Sequence, residues 1–191
     1  MDRRAFCCIC LTAFTSLLFF GCARHKPKIA YNDDISVIQS PRDGAPKAAV
    51  IYDSWSGNTQ TVGEQFSRVL ACEAMHVDAA ADVDFQDHDL ILIGSPVHGG
   101  MPTGAIDDFL SSLQSPAAAA VFVTYGAPLF GPSTANACLD RMAEKLDTAC
   151  IGKFKCLGFH QIMRTYPTHP DEADKRDAAR FAAGIRQRCR W

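Results

Sequence analysis

Ala48-Ala49-Val50-Ile51-Tyr52-Asp53-Ser54-Trp55-Ser56-Gly57-Asn58-Thr59 is the stretch on which the fold turns. Its first five residues form a short continuous apolar run, the pattern of a strand buried on both faces. A turn follows from Asp53 to Gly57, and then Val62, Phe66, Val69 and Leu70 recur at helical spacing. A loop of this kind, between a buried strand and a helix, is suited to an anion. Gly57 lets the backbone approach closely, and N–H groups at a helix start attract phosphate. The hydroxyls of Ser54, Ser56 and Thr59 add hydrogen bonds without charge. No Lys or Arg lies in the loop, which excludes a triphosphate P-loop. Capping by Ser56 or Asn58 accounts for part of the pattern, but not for three hydroxyls around one glycine.

The same alternation continues outward. Met75 to Ala79 reads as a second strand and Leu90-Ile91-Leu92-Ile93 as a third. Ile106, Phe109, Leu110 and Leu113 make a helical stripe, with Pro102 suited to its first turn. Ala119 to Thr124 is a fourth strand, and Leu139, Met142, Ala143 and Leu146 mark another helix. A fifth strand lies within Cys150 to Phe159, and a last helix spans Asp171 to Arg188, entered through Pro170. Strands alternating with helices of this length predict a parallel sheet covered on both faces. Ligands of such sheets sit at the carboxyl ends of the strands, here the loops beginning at Asp53, Gly94 and Thr124.

These loops resemble those of the flavodoxin family. Ser54-Trp55-Ser56-Gly57-Asn58-Thr59 matches its phosphate loop, and Asp89 to Gly99 is similar to its third strand and second cofactor loop. Thr124-Tyr125-Gly126-Ala127 fits the third loop, and His169-Pro170-Asp171-Glu172 the approach to the final helix. The resemblance spans Lys47 to Trp191. It implies a five-stranded parallel sheet of order 2-1-3-4-5 with helices on both faces, and bound FMN. The phosphate would lie on Ser54, Trp55, Ser56, Gly57, Asn58 and Thr59. The ring would lie between Ser95, Pro96, Val97, His98 and Gly99 on one side and Thr124, Tyr125 and Gly126 on the other. Tyr125 is the expected stacking partner. Trp55 is a second, or else covers the outer side of its loop. His98 stands where many relatives carry Tyr or Trp, and a cationic ring there would favour negative charge on the flavin.

The chain has 191 residues, 48% hydrophobic and 21% charged, as expected of one globular domain with an extension. A net charge of -2 supplies no footprint for nucleic acid. Residues 1–21 read as an export signal: Arg3-Arg4 precedes an uncharged run from Ala5 to Gly21, short of the roughly 20 residues of a membrane span. Arg3-Arg4-Ala5-Phe6 resembles a twin-arginine signal, and Leu18 to Cys22 a lipobox with Cys22 as the lipidated residue. Residues 22–46 then form a polar tether and residues 47–191 the domain, placing the protein outside the cytoplasmic membrane. Beyond Cys22, five cysteines remain without metal-ligand spacing, expected as buried hydrophobes with at most one disulfide.

Related chemistries lack their residues. A receiver domain needs Asp where Ser95 stands, and a low-molecular-weight phosphatase needs a Cys and Arg absent from Asp53 to Thr59. No G-x-S-x-G elbow accompanies His98-Gly99-Gly100. Three readings of function remain: an electron-transfer protein serving redox partner proteins, an FMN-dependent oxidoreductase using NAD(P)H or quinone, and a cofactor-free structural lipoprotein. For the second, Ala127 to Ala137 is the stretch available to line a small substrate pocket.

Overall fold

The computed structural model describes residues 46–189 apart from Ser115. The export signal, Cys22 and all but the last residue of the expected tether lie outside the described residues. Among the described residues ten elements follow one another: β1 (Ala48–Tyr52), α1 (Asn58–Leu70), β2 (Glu73–His76), α2 (Val77–Ala80), β3 (Leu90–Pro96), α3 (Gly104–Ser112), β4 (Ala119–Tyr125), α4 (Gly131–Lys145), β5 (Cys150–Leu157) and α5 (Glu172–Arg188). The strands form one sheet of order β2-β1-β3-β4-β5, parallel at every junction. This is the expected flavodoxin-like arrangement.

Alternation along the strands divides the core in two. Val50, Leu92, Phe122 and Phe154 face α1 and α5, where Phe66 and Phe181 wait. Ile51, Ile91, Ile93 and Val121 face α3 and α4, against Ile106, Leu139 and Met142. Phe66 is the hub of the first layer, with ring centroids 4.9 Å from Phe122 and 5.4 Å from Phe154. Gly94 makes room for this packing, since a Cβ there would lie 2.0 Å from Phe122 Cζ.

Two boundaries differ from the sequence reading. The second strand begins and ends earlier than Met75–Ala79, because His76 closes it as the N-cap of α2, its ring accepting from the Asp78 N–H. Val77 is buried as expected, but from a helical turn. Pro102 lies before α3 rather than in its first turn. Thr103 outcompetes it as cap, with a hydroxyl that accepts from the Ile106 N–H at 3.5 Å. The five described cysteines are all free thiols, three of them buried.

Candidate functional site

The three loops named from the sequence leave neighbouring strands at one edge of the sheet. In the first, Gly57 adopts a left-handed φ of 80° and caps α1 without a side chain. The first N–H groups of a helix have no intrahelical acceptor. Ser54 Oγ takes the N–H of Gln60 at 3.1 Å, and Gly57 O takes that of Thr61. The N–H groups of Asn58 and Thr59 stand at the helix start, where its partial positive charge is concentrated. Ser56 Oγ is held beside them by the Asn58 amide at 2.9 Å.

The second loop is a tight reversal. His98 and Met101 exchange both backbone hydrogen bonds at 3.0 Å across Gly99 and Gly100, which have φ of 59° and 85°. Two successive positive φ values are what a two-residue hairpin turn requires. The reversal presents His98 to Trp55, whose ring meets it edge-on with centroids 4.2 Å apart. Trp55 thus both faces the site and remains largely exposed.

The third loop passes close under its neighbours. Gly126 has no space for a Cβ, which would lie 2.6 Å from His160 Cβ and 2.7 Å from Gly158 O. Tyr125 rests against Gly131, and burial followed by the proximity of Tyr166 raises the pKa of its phenol.

Between these walls is a cavity of about 380 Å³, lined from the first loop by Trp55, Ser56 and Asn58 and from the second by Pro96, Val97, His98 and Gly99. Thr124, Tyr125 and Gly126 line it from the third. A fourth wall, Phe159 to Ile162, stands where the sequence offered Ala127 to Ala137. Most of that stretch instead forms the start of α4. The fourth wall is anchored by the Asn58 amide donating to Phe159 O at 2.9 Å and by Thr165 Oγ1 donating to Gly126 O. Glycine at 158, just past β5, was the available signal, since Gly126 stands at the equivalent point just past β4.

Two of the expected site residues are buried. Ser95 is fully buried; its hydroxyl donates to Pro96 O and accepts from the Thr103 N–H, so it shapes the second loop from beneath. Thr59 is buried too, and its hydroxyl pairs with that of Thr124 at 2.9 Å. Both serve the site by joining its parts. Asp53, just before the cradle, is buried with His76 Nε2 3.3 Å away and donates its N–H to Gly94 O.

A larger groove of about 780 Å³ lies between residues 77–86 and α3. Its lining includes Asp78, Asp82, Asp84 and Asp108 and no cation, which makes it hostile to a phosphate. His169, Asp171 and Asp174 also gather within reach of one another. They are engaged at the start of α5, where Asp171 and Asp174 form a reciprocal cap and His169 Nδ1 meets Asp174 Oδ2.

A doubly wound parallel sheet with an uncharged, glycine-capped helix start after β1 defines the class of flavodoxin-like α/β proteins. The family model described as Flavodoxin domain matches residues 49–163, and the chain belongs to that family. An uncharacterised protein of Methanocaldococcus jannaschii is 26% identical over 147 residues, covering 73% of this chain and 97% of its own. The solved structure of a flavodoxin from the domain Archaea aligns with a TM-score of 0.58 at 18% identity, covering 76% of this chain and 99% of that one. Oxidised flavodoxin 2 from Bacillus cereus aligns at 0.55 and 19% identity, covering 74% and 98%. At these identities the two structures share the fold with this chain.

Proposed function

We propose that this protein binds FMN and transfers electrons between partner proteins outside the cytoplasmic membrane. The observation that carries the reading is one continuous site with two chemically different ends. One end is a glycine-capped helix start with hydroxyl donors and no fixed charge, suited to a monophosphate. The other is a cavity whose volume lies in the small-molecule range of about 300–1,000 Å³, with Tyr125, Trp55 and His98 for a planar ring. Asn58 and Thr59 would hold the phosphate through their N–H groups, with Ser56 beside them. Pro96 to Gly99 and Thr124 to Gly126 would enclose the ring and exclude water from its inner edge. Bound FMN supplies one- and two-electron chemistry through its ring. The family supports this assignment, as do flavodoxins among the proteins of the same fold.

Export and anchoring belong to the same proposal and rest on the sequence of residues 1–22. Among the described residues no helix is long and apolar enough to cross a membrane. Attachment is assigned to acylation of Cys22.

The domain from Lys47 to Trp191, titrated with FMN, should quench flavin fluorescence to a stoichiometric end point and retain a visible flavin spectrum after desalting. Failure to retain FMN overturns the cofactor assignment. Mass spectrometry of the mature N-terminus should find a lipidated Cys22, and the modification should be absent from Cys22→Ser. An unmodified N-terminus refutes the anchor.

A further inference from the structure

The exposed large hydrophobic side chains are not scattered. Among the described residues Val83 is the one that lies elsewhere; Trp55, Met101, Leu129, Phe130, Ile162 and Met163 all stand on loops at the ligand edge of the sheet. Leu129 is 86% exposed, Phe130 72% and Ile162 90%, while Met163 beside it is 47% exposed. They come in adjacent pairs, Leu129-Phe130 after β4 and Ile162-Met163 after β5. The chain stretches around them contain no carboxylate: none from Gly94 to Ile106, from Thr124 to Ala137, or from Gly158 to Pro170. Arg164 follows directly on Met163.

We propose that this rim docks on an anionic lipid surface, with Leu129-Phe130 and Ile162-Met163 entering the interfacial layer and Arg164 at the headgroups. Such docking does not depend on bound FMN, although Ile162 also lines the cavity proposed for it. Exposed apolar patches of this kind mark contact with proteins or membranes, and two observations favour the membrane. The absence of carboxylates removes repulsion from anionic headgroups, and Arg164 adds attraction. Finally, 25 residues, 22–46, separate the uncharged run of residues 5–21 from the domain. Extended, they reach roughly 80–90 Å, well beyond a domain with a radius of gyration of about 15 Å. The rim can reach the lipid even though the chain enters β1 at the opposite edge of the sheet.

The domain from Lys47 to Trp191 suits the test, because residues in this span cover both faces of the sheet and align with a flavodoxin structure over 99% of that chain. It is sedimented with vesicles of phosphatidylcholine and phosphatidylglycerol, and with vesicles of phosphatidylcholine alone. The domain is expected to pellet with the anionic vesicles. Leu129→Ser/Phe130→Ser should lower its partition coefficient about tenfold or more. Arg164→Gln should lower it about fivefold on anionic vesicles and leave neutral ones unchanged. Leu129 and Phe130 lie clear of the cavity lining, so FMN binding should be the same in the double variant. A wild-type domain that stays in the supernatant overturns the proposal, as does a double variant that pellets like wild type. Loss of binding to a partner protein with vesicle binding unchanged would also overturn it, assigning the rim to protein contact. FMN content is read on the same samples. Its absence alone would refute the cofactor and leave the lipid result standing.

Discussion

Gly57 and Gly126 separate two reasons for having no side chain. At Gly57 nothing lies within 4 Å of the point a Cβ would occupy, so alanine meets only the left-handed backbone, a cost of about 1–2 kcal/mol. At Gly126 the backbone φ is ordinary, but the methyl would strike His160 and the Gly158 carbonyl. Two backbones must then part, a strain of about 1–3 kcal/mol. Urea unfolding should show both losses, whereas FMN affinity should fall much more in Gly126→Ala, which displaces the cavity's fourth wall. Equal affinities in the two variants would contradict the role given to that wall. His98 allows a redox test: His98→Phe should lower the midpoint potential of bound FMN in an anaerobic titration, because a group able to carry positive charge is lost. The cradle around Gly57 was legible because its chemistry lies in consecutive residues. Burial of Ser95 and Thr59 was not, because their partners Thr103 and Thr124 are remote in sequence.

Strands that are apolar from end to end were the clearest elements to read, since β1, β3 and β4 are covered on both faces. The edge strand β2 is half-buried, and its short apolar run could not say where strand gave way to helix. The fourth wall was harder still. Residues 158–169 have no periodicity, and their shape depends on contacts with Asn58 and Gly126. At α3 a single residue does two things: Thr103 caps the helix and, through its own N–H, ties it to Ser95. Thr103→Ala should therefore cost about 1–2 kcal/mol in chemical unfolding. Thr103→Ser should recover most of it, since the hydroxyl is what the cap needs. If serine were no better than alanine, the loss would belong to packing of the threonine methyl.

Across the whole molecule, stability should depend on pH through His88. It is buried beside Phe85 at the edge of the sheet opposite the site, and its Nδ1 has no hydrogen-bond partner. Burial, reinforced by Lys47, lowers its pKa from the ordinary 6.5, against the opposing pull of Asp84, Asp87 and Asp89. The unfolded chain then binds the proton more readily than the folded one. This contribution to stability is complete above about pH 6.5 and declines as pH falls through and below that value. The urea midpoint should drop between about pH 7.5 and 5.5, and His88→Gln should flatten that part of the profile. The thiols make a simpler statement about the entire fold. Burial pushes Cys72 up to about 11 and Cys138 to about 12, and none of the described cysteines is bonded to another. A reductant should leave the melting temperature of the domain unchanged; a drop would reveal a bond between cysteines in solution.

The pair of hydroxyls on Thr59 and Thr124 has a consequence for the thermodynamics of loading. It fastens the cradle to the opposite wall inside the folded protein, before any ligand arrives, so the ordering entropy of those loops is met during folding. Association should then be enthalpy-led and quick, with little loop freedom left to lose. Thr59→Val should move that entropy into the binding step, and calorimetry would record the same ligand captured with a less favourable entropy.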